Sequence, residues 1–459
     1  MHTPIPVSTN TARSRLPWQG GRGRTATRVR QSAPPAGPAS NGNLSVSAVG
    51  KWATAAALFL AISKFHGYIS ILSVIRTPMI LSIIALIAMF SQTSRWRPAD
   101  LQRHWIPKLV GVILLISIAG IPFSIYKSQS LTTFNEVFSR TLLLATITWG
   151  VSRTRQGLEF MTGTVLLSCV TAALLAFALG RTDSTGRLAG GYAYDPNDIA
   201  LIGVVGIPLA LWWALTPGKP LRGLMLLAIP LFVQLIVKSD SRGGFLAMIS
   251  VIVAFFSMSM TKAHKKLKYT GWVIGAAAVG SFVLAPGYFI EKYQSIMDPK
   301  DYNRTSATGR KQVWARGIGY AMSNPIFGVG IGNFGSAEGR SQTGDAVQAA
   351  GRGWKWGTAH NSFVQIGAEL GLIAGVAFIM LFFRSIRELI ALGKAASARG
   401  DLLAPFLGMS LVGFASSAFF LSWGYYDLTY ALLALAAAIL MQQRDLQPSR
   451  PSNSGPRAR

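Results

Sequence analysis

Three basic side chains, Arg242, Arg310 and His360, sit in short polar, glycine-flanked stretches bordering strongly apolar segments. Their chemistry there is recognition of an anion and transfer of a proton. Arg242 belongs to Lys238-Ser-Asp-Ser-Arg-Gly-Gly244, a tight junction between two apolar stretches. Glycines that let backbone approach closely, a helix N-terminus and a guanidinium together make an anion site; the same arginine also reads as one snorkelling to lipid headgroups. Arg310 follows Thr308-Gly309 and precedes Trp314 at helical spacing, as a stacked or phosphate-binding arginine would, with Arg316 further on. His360 and Asn361 stand where a polar loop runs into an apolar helix. An imidazole there accepts a proton near neutral pH, or serves as a helix-capping polar group.

Other polar residues have structural readings. Asp195, Pro196 and Asp198 fit the N-cap, first and third positions of a helix. Tyr192 and Tyr194 before them read as sugar-stacking rings or as interfacial aromatics. Glu369, nine residues after His360 in the same apolar stretch, is expected to be paired, and a structural ion pair is the favoured reading. No Asp-x-Asp pair, His-Glu-x-x-His or phosphate-binding Gly-x-x-x-x-Gly-Lys occurs. Whatever chemistry the chain performs therefore rests on arginines, tyrosines and a histidine.

The elements that must hold these residues are membrane helices. Half of the 459 residues are hydrophobic, 13% are charged and mean hydropathy is +0.38, which excludes a soluble globular protein. The single cysteine, Cys169, lies in an apolar run and reads as packing. Stretches of about 20 apolar residues predict an all-α protein of about twelve transmembrane helices: 46–65, 77–92, 109–126, 137–151, 158–179, 197–215, 223–237, 245–260, 271–288, 362–383, 403–421 and 425–441. The domain scheme is a disordered basic cytoplasmic tail (1–45), nine helices (46–288), a folded polar loop (289–361), three helices (362–441) and a second tail (442–459). The loop's aromatic content argues against disorder, and its length argues for function.

The formal charge of +27 reads as membrane orientation rather than nucleic-acid binding, since Lys and Arg cluster in alternate short loops. With both termini inside, the inner loops hold Arg95–Lys108, Arg153–Arg155, Lys219–Arg222, Lys262–Lys268 and Arg384–Arg399, and the 289–361 loop lies outside. The amino tail carries seven basic residues and no acid within its first 51 residues. It reads as a headgroup-binding segment and not as a cleaved signal peptide.

Five motifs occur in order: Tyr194-Asp-Pro-Asn-Asp198, Ser241-Arg-Gly-Gly244, Gly309-Arg310 with Trp314, Asn324-Pro-x-x-Gly-x-Gly-x-Gly-Asn-Phe334, and His360-Asn-Ser-Phe363 with Glu369 and Gly371. This order resembles the bacterial O-antigen ligase and O-antigen polymerase superfamily. The resemblance implies a GT-C-like glycosyltransferase of the inner membrane, using an undecaprenyl-pyrophosphate-linked glycan on the periplasmic side with no metal or other cofactor. It implies that Arg242 and Arg310 hold the donor pyrophosphate and that His360 assists the acceptor hydroxyl. Tyr194, Arg304, Arg316 and Asn361 are further candidates for substrate binding. The acceptor is a glycan or lipid, such as lipid A-core for a ligase; a polymerase of O-antigen, capsule or exopolysaccharide units is the alternative, and a transporter of the same lipid-linked glycan ranks lower. The topology has a direct test. Reporter fusions after Gly332 and after Lys266 should report opposite sides of the membrane, and a shared side would overturn the scheme.

Overall fold

The computed structural model describes residues 46–90, 104–183, 186–258, 309–340, 357–397 and 401–445. The amino tail, the expected helix at 271–288, Arg304 and parts of the polar loop lie outside the described residues. The chain forms α1 (Ala48–Ser63), α2 (Ser70–Val74), α3 (Thr77–Phe90), α4 (Trp105–Ala119), α5 (Lys127–Thr133), α6 (Ser139–Val151), α7 (Arg155–Leu179), α8 (Pro196–Leu215), α9 (Arg222–Ser239) and α10 (Arg242–Met258). Beyond these come α11 (Arg310–Ser323), α12 (Phe334–Arg340), α13 (Ser362–Ser397), α14 (Leu403–Ala418) and α15 (Asp427–Asp445). A two-stranded antiparallel ribbon, β1 (Arg181–Thr182) and β2 (Leu188–Ala189), precedes α8.

Among the described residues, four helices are long and apolar enough to cross a membrane: Arg155–Leu179, Pro196–Leu215, Arg222–Ser239 and Ser362–Gly393. Six further apolar helices are shorter. The centre of the assembly is α8, in which every residue from Ile199 to Trp212 is buried. In lipid, helices associate through close van der Waals packing, which small residues permit. A Cβ on Gly206 would lie 2.5 Å from the Phe232 ring of α9, and one on Gly413 of α14 would lie 2.6 Å from Val204 of α8.

Three of the departures from the expected helices have a local cause. The short stretch expected from Val137 is the second half of a longer helix: α5 runs into α6 through a π-helical segment, Phe134–Phe138, with helical backbone at both joints. The stretch expected to reach Tyr126 ends at Ala119. The chain beyond it opens so that the Ile125 N–H can donate to the Val329 carbonyl (3.1 Å). Helix α13 is interrupted at Gly371 (φ 85°, ψ 176°).

That interruption receives the glycine-rich loop. With the helical ladder broken, the carbonyls of Ala368 and Glu369 accept from Val329 (2.9 Å) and Gly330 (2.9 Å), while Leu372 donates to Pro325 (2.8 Å). Gly328, Gly330 and Gly332 all have positive φ (62°, 98° and 74°), which only glycine adopts without strain. A Cβ would lie 2.4 Å from the Ala368 carbonyl oxygen at Gly328, 2.1 Å from Ser124 Cβ at Gly330 and 2.2 Å from Thr133 Oγ1 at Gly332. The loop is thus threaded between α13 on one side and the α4–α5 junction on the other. Gly330→Ala should lower the thermal midpoint of the purified protein. The backbone strain alone costs about 1–3 kcal/mol, and the overlap adds to it. Gly319→Ala, in α11 where nothing lies within 4 Å, should leave the midpoint unchanged or raise it slightly. Equal midpoints for the two variants in a thermal-shift assay would contradict this packing.

Candidate functional site

The starts of α8, α10, α11 and α13 are tied to one another or to the connection between α14 and α15. Helix α8 begins with a capping box: Asp195 accepts from Asn197 N (2.7 Å) and Asp198 N (2.8 Å), and Asp198 accepts in return from Asp195 N (3.1 Å). This is the initiation that the Asp-Pro-Asn-Asp sequence predicts. Helix α10 begins at Arg242, and Ser241 Oγ accepts from Gly244 N (3.1 Å) and donates to Asn197 Oδ1 (2.8 Å), which joins the two starts. Arg187 adds its Nη2 to the same Asn197 oxygen (2.9 Å) and its Nε to the Ser239 carbonyl (3.0 Å). The two glycines after Arg242 have a different use from the one expected. A Cβ on Gly243 would lie 2.8 Å from Phe420 Cβ and one on Gly244 would lie 2.6 Å from Ala200 Cβ, so they admit neighbouring elements rather than a ligand.

The hub is the connection between α14 and α15, residues 419–426. The Arg310 guanidinium, at the start of α11, lies 5.7 Å from the centre of the Phe420 ring. One turn on, Trp314 is 6.5 Å from that ring and donates Nε1–H to the Ala359 carbonyl (3.0 Å). His360 donates its backbone N–H to Ser422 Oγ (2.9 Å). Ser362 Oγ donates to the Leu421 carbonyl (2.7 Å) and accepts from Trp423 N (2.8 Å). The Trp423 indole donates to Asp198 Oδ1 (2.6 Å). Arg310, His360 and the residue following Arg242 are therefore brought onto one short loop from three separate parts of the sequence.

His360 is partly buried and has φ 46°, a left-handed conformation that is rare for a residue with a side chain and that clusters at functional sites. Burial lowers its pKa below the usual imidazole value, the nearby Arg310 charge lowers it further, and the Asp195 carboxylate opposes both. The imidazole is accordingly neutral at pH 7 and free to accept a proton.

Several expected residues have other duties. Tyr194 is buried, donates its hydroxyl to the Ile62 carbonyl (2.5 Å) and stacks on Trp423 at 6.0 Å, so it is an interior wall and not an exposed sugar platform. Asn361 is the cap of α13, its Oδ1 accepting from Phe363 N (3.0 Å) and Val364 N (3.1 Å). Arg316 is held by Glu338 through Nε (2.9 Å) and Nη2 (2.5 Å), and Glu338 also accepts from the Tyr320 hydroxyl (2.9 Å). That bond raises the arginine's pKa and fastens α11 to α12. Glu369 is buried, and its carboxylate accepts from Gly332 N (2.8 Å) and Phe334 N (3.2 Å). Backbone amides of the glycine loop, with Tyr425 and Gln365 beside them, bond its carboxylate in place of the expected cation.

The residues that sequence reasoning missed are Phe420, Ser422 and Trp423. The aromatic run Phe419-Phe420, Trp423 and Tyr425-Tyr426 between two apolar stretches is the signal that would have found them. Among the described residues, no group of three or more His, Cys, Asp or Glu side chains converges as a metal site requires.

These features define a helical membrane protein in which Arg310, His360 and the start of α10 border one short aromatic connection. Residues 227–379, which contain Arg242, Arg310, His360 and Glu369, match the family model described as O-antigen ligase, so this part of the chain is similar to that family. A search of curated proteins returns no significant match. Among solved structures the chain is similar to one from a peptidoglycan synthase complex that coordinates polymerization and crosslinking. The identity is 17% over 75% of this chain and 98% of that one, with a TM-score of 0.38, and a likeness at that level carries no argument. The electrostatics of the site are testable by histidine NMR on the purified protein. His360 should titrate below the ordinary imidazole value of about 6.5, and Arg310→Gln should move its midpoint upward. A midpoint indifferent to Arg310 would contradict the proximity.

Proposed function

We propose that the protein is an O-antigen ligase-like glycosyltransferase of the bacterial inner membrane, with twelve membrane-spanning helices, a GT-C-like architecture and both termini cytoplasmic. It moves a glycan from undecaprenyl pyrophosphate to an acceptor hydroxyl on the periplasmic face. The observation that carries this reading is the convergence of Arg310, His360 and the start of α10 on the 420–423 loop. The acceptor oxygen attacks the anomeric carbon with inversion. The new glycosidic C–O bond forms as the bond to pyrophosphate breaks, and the hydroxyl proton passes to His360. The leaving group departs as undecaprenyl pyrophosphate, its negative charge held by Arg242 and Arg310 and by the helix N-termini. No metal is needed for that charge.

The Arg310–His360 coupling gives the reaction an order. Before the donor binds, the arginine's charge holds the imidazole's basicity down. A pyrophosphate on Arg310 offsets that charge, so His360 becomes a stronger base only when there is a donor to be attacked. A polymerase of O-antigen, capsule or exopolysaccharide units would differ from this ligase only in its acceptor.

Release of undecaprenyl pyrophosphate from a lipid-linked oligosaccharide by the purified protein is the direct assay. His360→Ala should lower turnover by about 100- to 10,000-fold and leave donor binding nearly intact. Arg310→Ala should weaken donor binding itself, and Arg242→Lys or Arg310→Lys should reduce turnover strongly because the planar fork is lost. Chelator-treated native protein should keep full activity. Normal turnover in His360→Ala across pH, or an absolute requirement for magnesium, would overturn this mechanism.

A further inference from the structure

A groove of about 230 Å³ runs between α4, α6 and α15, and none of the residues lining it belongs to the candidate site. Positions spaced i, i+3, i+4, i+7 line it from Leu142 to Trp149 on α6 and from Tyr430 to Ala437 on α15, so it follows the helices for roughly two turns, about 10 Å. Helix α15 is the floor, with Tyr430, Leu433 and Ala437 each 1% exposed. Helices α4 and α6 are the walls. A Cβ on Gly111 of α4 would meet nothing within 4 Å, so α4 stands off from its neighbours there. The groove is smaller than the roughly 300–1,000 Å³ of small-molecule sites, which suits a slender chain rather than a ring-bearing ligand.

Two polar hydrogens interrupt this apolar lining. Trp149 is 3% exposed and Tyr430 1%, and neither the indole Nε1 nor the phenol oxygen has a hydrogen-bond partner among the described residues. Thr146, the other polar lining residue, donates to the Leu142 carbonyl of its own helix (2.8 Å). Buried indole and phenol groups ordinarily find a partner, and a buried donor left unmet costs more than a typical hydrogen bond contributes.

The two donors stand at opposite ends of the groove. Thr141 Oγ1 donates to the Tyr425 carbonyl (3.0 Å) and to Asp427 Oδ1 (2.9 Å), and Gln442 Nε2 donates to the Ser152 carbonyl (2.7 Å). Helices α6 and α15 therefore run side by side in one direction, with Tyr430 near the first tie and Trp149 near the second. Cations stand by Trp149. The Arg153 guanidinium lies 5.5 Å from the centre of the Trp149 ring. Trp105 donates to Glu388 (3.1 Å), far along α13 from its start at the 419–426 connection, which puts the beginning of α4 at this same end. There Lys108 is exposed and directly follows the lining residues Ile106 and Pro107. At the other end the Tyr430 ring meets the buried Phe138 ring at 5.5 Å, which closes the groove.

We propose that this groove holds one acyl chain of an anionic glycerophospholipid, with its ester carbonyl accepting from Trp149 Nε1–H at the mouth and its phosphate beside Arg153 and Lys108. An apolar chain, an uncharged acceptor where the chain begins and an anion just beyond it are the three things this lining asks for, in that order. Basic and aromatic side chains at a helix end are the usual means of holding such a headgroup. Tyr430, at the closed end, is out of the ester's reach, so the two unmet donors predict different responses. The site stands whether or not the protein transfers a glycan.

The test is native mass spectrometry of the full-length protein in non-ionic detergent, titrated with three lipids of equal chain length. They are diester phosphatidylglycerol, its diether analogue, which lacks the ester carbonyl, and diester phosphatidylcholine. The native protein should bind one diester phosphatidylglycerol about tenfold more tightly than the diether, and more tightly than phosphatidylcholine. Trp149→Phe keeps a ring but loses the donor, and should bind diester and diether equally. Tyr430→Phe should keep the native preference. Lys108→Gln/Arg153→Gln should lose the preference for phosphatidylglycerol over phosphatidylcholine and retain that for the ester. Gly111→Leu, which places a side chain in the open space beside α4, should lose the tightly bound lipid. Equal binding of diester and diether by the native protein would overturn the proposal without reference to any variant. So would an ester preference that survives in a folded Trp149→Phe protein, or one that is lost in Tyr430→Phe. Equal binding of phosphatidylcholine by the native protein would remove the anionic headgroup and overturn it as well.

Discussion

The grip of α13 on the glycine-rich loop is the constraint on which the rest depends. Gly371 breaks the helix, two carbonyls become available, and the Glu369 carboxylate turns from lipid to accept the amides of Gly332 and Phe334. An ionisable side chain inside an apolar helix is expensive unless it is satisfied, and here its acceptors are met by backbone donors that have no strand or helix of their own. The exchange is mutual, because the loop's N–H groups would otherwise be orphaned among apolar helices. Asn333 extends the same fastening, donating to Ser130 Oγ (2.7 Å), while Ser130 donates to the Ile331 carbonyl (3.0 Å).

From that anchor the candidate site follows by connection. The loop fixes the chain leaving α11 and entering α12, and the Arg316–Glu338 pair ties those helices together. Helix α11 then holds Arg310 and Trp314 against Phe420, and Trp314 reaches Ala359, the residue before His360. On the other side, Asn197, Ser241 and Asp198 bind the starts of α8 and α10 to each other and to Trp423. The two sets of contacts meet at one aromatic loop, and this seam brings together Arg310, His360 and the glycine that follows Arg242.

Much of this was legible in the sequence, for reasons that differ by residue. Asp195, Pro196 and Asp198 announced a helix start because capping is local chemistry, and the apolar runs announced helices because lipid forbids an open backbone. Arg242 and Arg310 stood out as arginines beside glycine at the edges of apolar stretches, and His360 as an imidazole at a helix entry, although snorkelling would also have explained Arg242 and capping His360. What was not legible was partnership across the chain. Glu369 called for a partner, but nothing local says that the partner is backbone 37 residues earlier. Tyr194, Asn361 and Arg316 have the residue types of substrate ligands and are engaged by Ile62, the α13 amides and Glu338 instead. The break at Gly371 was hidden because glycine is common in membrane helices, and Phe420 because it reads as one more apolar residue.

The central claim is that this seam is an anion site facing a neutral base. A cryo-electron microscopy structure of the protein with an undecaprenyl-pyrophosphate-linked glycan tests it most directly. The account predicts pyrophosphate density between Arg242 and Arg310 above the Phe420 ring, with the anomeric carbon turned toward His360. Pyrophosphate density at any place away from the 420–423 loop would contradict it.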